Sequence, residues 1–303
     1  MTGNCKKINA DERSDANSSR ASEVVPLSFL DVKRREETHV IGENEYRLHH
    51  WGSGAPVLLY PSLGRGAVDF DQLCLALSHD GFHAIAIDPP GVATGIGEAP
   101  WRTLFDVASD LWSIVDALAL DTPALIGHAY GNRVVRAAST LRPDALRALV
   151  LLACGGDVRS SEEVHVEFLR CFDPSIPRDE HLASVKKAFF APSKDADPWK
   201  EGWHHELAVA QGRAVVATDF KDFANGGTAP CLIIQGLDDV IAPPQNAWNL
   251  VARRANTRVV GLENCGHAIL PEQPRVVAQD VSQFLREKLD PQGEGFASRV
   301  ASS

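Results

Sequence analysis

Lysine and arginine nowhere cluster in this sequence: the one dense run, VKRREE, carries its own glutamates, and the net charge is −10. Nucleic acid and anionic membrane surfaces both call for a basic face, so neither is expected as a partner. The longest apolar stretches, such as ALRALVLLACGG, reach strand length and fall short of the roughly 20 residues that span a bilayer. The opening segment MTGNCKKINADERSDANSSRASE is polar and lacks an apolar centre, so it does not read as a secretory signal. The six cysteines (Cys5, Cys74, Cys154, Cys171, Cys231 and Cys265) lack paired spacing. That predicts reduced thiols in a cytoplasmic protein and no disulfide frame.

Metal and cofactor signals are missing too. His49 and His50, like His204 and His205, are adjacent pairs whose side chains diverge on a strand or helix. His79 and His83 flank Gly81 in a polar setting that predicts a turn, not a zinc site. The loop GVATGIGEAP has scattered glycines without the dinucleotide fingerprint. No metal and no cofactor are expected, and nothing in the sequence indicates a homo-oligomer.

What is present is alternation. Hydrophobic residues make up 44% and charged residues 23%, ordinary for a globular protein, and 303 residues are enough for one large domain with an insertion or for two ordinary domains. YRLHHWG reads as part of an opening antiparallel pair, APVLLYPS as a buried strand, and DFDQLCLALSHDG as a helix closed by Gly81. FHAIAIDPPG is the next strand. Leu104, Val107, Ala108, Leu111, Ile114, Val115 and Leu118 then recur at helical period. PALIGHA, GNRVVRAASTLRP and LRALVLLACGG continue as strand, helix, strand. Between Asp157 and Thr228 no strand is evident. SEEVHVEFLRCF, DEHLASVKKAFF and PWKEGWHHELAVAQGRAVVAT all read as helices, a helical insertion. The alternation resumes with APCLIIQG, a helix after Pro243 and Pro244, TRVVGLEN, and RVVAQDVSQFLREKL. This is an α/β protein: a mostly parallel, twisted sheet of about eight strands with helices on both faces. The polar stretches 1–24 and 290–303 are expected to be disordered tails.

Between the strand PALIGHA and the helix NRVVRAAS lies the turn GHAYG, with Ala129 midway between Gly127 and Gly131. A sharp strand-to-helix turn of this kind forces positive φ on its apex residue, at a cost of about 1–2 kcal/mol for any residue but glycine. A purely structural turn would relieve that strain with glycine. Two more chemistry-bearing pieces follow later strands. QGLDDVIAPP sets Asp238 and Asp239 just after one strand, and NCGHAILPEQP sets His267 just after the next. An acid followed by a loop histidine is the layout of an Asp-oriented general base.

Together LLYPSLGRGAVDFDQL, AIDPPGVATG, GHAYGN, QGLDDVIAPP and NCGHAILPEQP resemble the α/β-hydrolase fold superfamily over about residues 38–289. The resemblance implies a nucleophile position at Ala129, an acid at Asp239 (three residues after Gly236) and a base at His267. Asp157 is the alternative acid. It implies an oxyanion hole from the backbone N–H groups of Leu63 and Tyr130, although Pro61 and Ser62 stand where the family often has His-Gly. It also implies a core of residues 25–156 and 229–289 under a helical cap of residues 157–228. Ser62, His128, Phe189, Phe190, Trp199 and Trp203 are the expected lining of a pocket for a small, largely apolar ester or lactone. The methyl of Ala129 attacks nothing. Three readings are therefore open: a serine hydrolase with its nucleophile replaced, a His267–Asp239 base that acts without a covalent intermediate, or a non-catalytic small-ligand binder.

Overall fold

The computed structural model describes residues 34–93 and 101–289. Both polar tails, Cys5 and most of the GVATGIGEAP loop lie outside the described residues. The eight strands form one sheet: β1 (Arg35–Ile41), β2 (Asn44–Trp51), β3 (Ala55–Tyr60), β4 (Phe82–Asp88), β5 (Ala124–His128), β6 (Ala148–Leu152), β7 (Cys231–Gly236) and β8 (Thr257–Leu262). Their order is β1-β2-β4-β3-β5-β6-β7-β8. The pairs β1–β2 and β2–β4 are antiparallel, and every later pair is parallel.

Period-two alternation along the central strands splits their side chains between two cores. Leu58, Tyr60, Leu125, Leu149, Leu151 and Ile233 face one cluster, which is closed by α2 (Leu104–Ala117), α3 (Tyr130–Leu141) and α8 (Gln245–Arg253). Val57, Leu59, Ile126, Val150, Leu152 and Ile234 face the other, which is closed by α1 (Asp71–His79) and α10 (Pro274–Leu289). The central strands β3, β5, β6 and β7 are apolar because both of their faces are covered. Local signals set the helix ends. α2 starts on a capping box, with Thr103 Oγ1 accepting from the Asp106 N–H and the Asp106 carboxylate accepting from the Thr103 N–H at 2.8 Å. After α1, Gly81 takes φ +83.

Between β6 and β7 the chain runs through α4 (Glu162–Arg170), α5 (Arg178–Phe189), α6 (His205–Val216) and the short α7 (Phe220–Phe223). The single long helix expected from PWKEGWHHELAVAQGRAVVAT is in fact broken. Asp197–Trp199 forms a short 3₁₀ turn, Gly202 turns at φ +83, and α6 begins only at His205. These helices carry their own small core of Cys171, Val185, Ala188, Phe189, Phe190 and Trp199, which also includes Ala268. Among the described residues, no helix is long and apolar enough to cross a membrane.

The elbow between β5 and α3 is set by steric contact. A Cβ on Gly131 would stand 2.0 Å from the Tyr60 carbonyl oxygen, and one on Gly127 would stand 2.3 Å from the Gly131 carbonyl oxygen. Only glycine lets α3 approach β3 so closely. Gly131→Ala should therefore destabilise the fold by about 3 kcal/mol or more, because the clash is with backbone that cannot turn aside. Urea denaturation checks this: a wild-type midpoint for the variant would contradict the packing described.

Candidate active site

Ala129 stands at the apex of the elbow with φ 52° and ψ −105°. It is partly exposed, although both glycines of the turn are buried. Its N–H donates to the Leu152 carbonyl at 2.9 Å, so the turn is tied to the end of β6. The next residue, Tyr130, opens α3, and its N–H meets no acceptor among the described residues. The N–H of Leu63, in the loop after β3, likewise has no acceptor among the described residues.

That loop is bolted to the insertion. The Gly64 N–H donates to Gln211 Oε1 at 2.8 Å, and the Gly64 carbonyl accepts from the His204 N–H at 2.9 Å. Arg65 is buried and donates twice to Asp69, at 2.6 and 2.8 Å, and to the Glu201 carbonyl at 2.8 Å. Its guanidinium also lies 4.5 Å from the Trp199 ring centroid and 4.9 Å from that of Trp203. Ser62 is buried, and its hydroxyl has no hydrogen bond among the described residues.

The histidine and its acid come together at the carboxyl ends of β7 and β8. His267 Nδ1 donates to Asp239 Oδ2 at 2.8 Å, and the Asp239 side chain is fully buried. The Gln235 amide donates to the same oxygen at 3.1 Å. The other oxygen, Oδ1, accepts from the Ile241 N–H at 3.0 Å and the Ala242 N–H at 2.8 Å. Four donors thus fix the carboxylate, and the carboxylate fixes the imidazole tautomer. The proton sits on Nδ1. Nε2 makes no hydrogen bond among the described residues. Asp238 is exposed, and Asp157 pairs with Arg253 at 2.9 Å on the surface, so neither serves His267.

The loop bearing His267 is held on three sides. The Gly266 N–H donates to the Glu272 carboxylate at 3.0 Å, the Ala268 N–H donates to the Phe189 carbonyl at 2.9 Å, and the His267 carbonyl accepts from His128 Nε2 at 2.9 Å. Of the expected pocket residues, His128 is completely buried and braces this loop from β5. Phe189 lies 5.6 Å from the His267 ring and 5.4 Å from Trp199, while Phe190 and Trp203 pack against Trp199. Phe189, Phe190 and Trp199 are buried and Trp203 is only partly so, which makes this an aromatic wall beside the imidazole. Gln235 and Gln211 escape the sequence reading. Each holds a functional loop through a side-chain amide, and a lone glutamine inside or near an apolar run is the only sign either leaves in the sequence.

Elsewhere, His83 pairs with His50 at 3.0 Å, not with His79. No group of three or more His, Cys, Asp or Glu side chains fit to hold a metal occurs among the described residues. Two cavities, of about 360 and 520 Å³, lie in and beside the helical insertion; the second is backed by Trp199, and neither is lined by Ala129 or His267.

Burial, reinforced by the neighbouring His267, pushes His128 down to about 4. An unfolded histidine titrates near 6.5, so between about 4 and 6.5 the unfolded chain binds the extra proton. The stability linked to neutral His128 is therefore complete above pH 6.5 and lost as the pH falls toward 4, by up to about 1.4 kcal/mol per pH unit. His128→Gln retains a donor for the His267 carbonyl and should flatten the acid limb of stability against pH by that amount. Equal slopes for the two proteins in urea denaturation would contradict this. A second expectation concerns Ala129: replacing it with glycine should stabilise the fold by about 1 kcal/mol, since the positive φ then costs nothing.

The family model for the alpha/beta hydrolase fold matches residues 55–274. The 2-hydroxy-6-oxo-2,4-heptadienoate hydrolase of Pseudomonas putida is 26% identical, with 80% of this chain and 94% of that protein covered. The polyketide synthase ThaQ of Burkholderia thailandensis is 26% identical over 91% of this chain, which spans only 14% of that much longer protein. Among solved structures, a putative lipase from Acinetobacter baumannii superposes with a TM-score of 0.72 at 20% identity, covering 86% of this chain and 93% of that one. With its eight-stranded sheet, its elbow and a family match over most of its length, the chain belongs to the α/β-hydrolase fold family.

Proposed function

We propose that the protein is a hydrolase in which His267, oriented by Asp239, activates water directly against a small, largely apolar ester or lactone, with no covalent enzyme intermediate. In this reading residues 157–228 cap a core built from residues 25–156 and 229–289. The observation that carries the proposal is the 2.8 Å bond from His267 Nδ1 to buried Asp239, which leaves Nε2 as a base in a chain whose elbow apex has no nucleophilic atom. A non-catalytic binder has no use for such a pair.

The steps balance without an enzyme nucleophile. A water oxygen bonds to the substrate carbonyl carbon while His267 Nε2 takes its proton. The carbonyl electron pair moves onto oxygen, and the N–H groups of Leu63 and Tyr130 receive the oxyanion. Collapse re-forms the carbonyl, breaks the ester C–O bond, and returns the proton from Nε2 to the departing alkoxide. The products are an acid and an alcohol, or a hydroxy acid from a lactone. Apolar groups of the substrate would rest on Phe189 and Trp199.

Turnover of short aryl esters and lactones tests the proposal. The protein should turn over at least part of such a panel. His267→Ala should lower the rate about 10²- to 10⁴-fold, and no burst of acyl-enzyme should precede steady state. A fluorophosphonate probe should leave the protein unlabelled and label Ala129→Ser. Turnover by Ala129→Ser alone would replace this account with that of a serine hydrolase lacking its hydroxyl. Turnover unchanged in His267→Ala would remove the base from the mechanism.

A further inference from the structure

Arg133 sits on α3 four residues after Ala129. Residues four apart on a helix share a face, so Arg133 follows the elbow on the same side of α3. It is partly buried, yet it has no hydrogen bond and no ion pair among the described residues. Its neighbours differ. Arg136 donates to the Gly155 and Ala224 carbonyls, and Arg253 pairs with Asp157. Arg133 instead packs along Gly155, at the carboxyl end of β6, with Nη2 3.4 Å from where a Cβ on that residue would stand. Its guanidinium carbon is 6.0 Å from the Phe220 ring centroid.

The surroundings are deficient in negative charge. Among the described residues the groups acting on Arg133 are Cys154 and Tyr130, the cations Arg136 and Arg253 lie beyond, and no carboxylate forms an ion pair with it. Burial lowers its pKa, but a guanidinium stays charged in a protein. A recessed cation with five donors and no acceptor is costly unless an anion completes it. Tyr130, whose ring lies 6.3 Å from that of Tyr60, also has a buried hydroxyl without a hydrogen bond among the described residues, and Arg133 is the charge that acts on it. The positive end of α3 adds to the local field.

We propose that Arg133, with the Tyr130 hydroxyl beside it, recognises a carboxylate on the substrate. The substrate is then an ester or lactone whose acyl chain ends in a free carboxylate a few carbons from the reacting carbonyl, as in the half-ester of a short dicarboxylic acid. This inference rests on the hydrolytic reading of Ala129, His267 and Asp239. One planar guanidinium and one hydroxyl match the two oxygens of a monoanionic carboxylate.

Two measurements separate the inference from the reading beneath it. In the first, kcat/KM is compared for monoethyl and diethyl glutarate. The half-ester should be favoured about 10- to 100-fold, and Arg133→Gln should collapse that ratio, with Arg133→Lys restoring part of it. In the second, glutarate is titrated calorimetrically into the protein and into Arg133→Gln. It should bind the first and lose about 10- to 100-fold in affinity for the second. The melting temperature of Arg133→Gln should not fall, because no internal partner is lost. Equal preference for the two esters in the unaltered protein, or an equal loss on both in Arg133→Gln, would overturn the proposal. If glutarate binds through Arg133 while neither ester is hydrolysed, the carboxylate subsite stands and the general-base reading fails. If diethyl glutarate is hydrolysed and glutarate does not bind, the subsite fails and the general-base reading stands.

Discussion

The close approach of α3 to β3 is the constraint on which the rest depends. Gly131 lies so near the Tyr60 carbonyl that no side chain fits between them, and the strand-to-helix turn tightens in consequence. A turn that tight leaves its apex residue at positive φ, lifts that residue out of the sheet's edge, and exposes the first N–H of the helix. The strained apex and the N–H of Tyr130, unpaired among the described residues, are two results of one packing contact. Alanine at the apex bears the backbone strain without returning a nucleophile.

The second half of the site is held from the opposite direction. Asp239 is saturated by its own loop and by Gln235, and the Gln235 carbonyl oxygen Oε1 in turn accepts from the Cys154 N–H at 2.8 Å. The carboxylate that orients His267 is therefore referenced to β6 as well as to β7. His128 reaches from the end of β5 to the His267 carbonyl, and Phe189 and Glu272 bind the loop's backbone. The imidazole is fixed by contacts from the sheet and from the helical insertion together. The Leu63 loop shows the same double attachment through Gln211 and Arg65. Displacing the insertion would disturb the base and the donor loop at once.

Much of this was legible in the sequence because buried parallel strands leave continuous apolar runs, and because glycine and proline mark where they end. APVLLY, FHAIAID, ALIGH, ALVLL and CLIIQG begin in the sheet within two residues of where their patterns begin, although ALVLL ends four residues before the end of LRALVLLACGG. β1, Arg35–Ile41, is harder to see: as an edge strand rich in charge and half-exposed, it has no apolar run. The break near Gly202 was invisible for a different reason, since helical periodicity on either side bridges a short turn. At the site, Ala129, Asp239 and His267 stand out by their place after strands. The partnership of Gln235 with Asp239, and the isolation of Arg133, depend on contacts between distant segments. A glutamine ending a strand and an arginine on a helix carry no local mark of either.

Nitrogen-15 NMR of the His267 imidazole at pH 8 reads whether buried Asp239 holds the ring proton on Nδ1 and leaves Nε2 as an unprotonated base. Nδ1 should show a protonated-type shift coupled to a downfield proton and Nε2 a lone-pair-type shift, with the pattern lost in Asp239→Asn. A ring carrying its proton on Nε2 in the unaltered protein would contradict the proposed role of His267, because no ring nitrogen would then be free to take a proton from water.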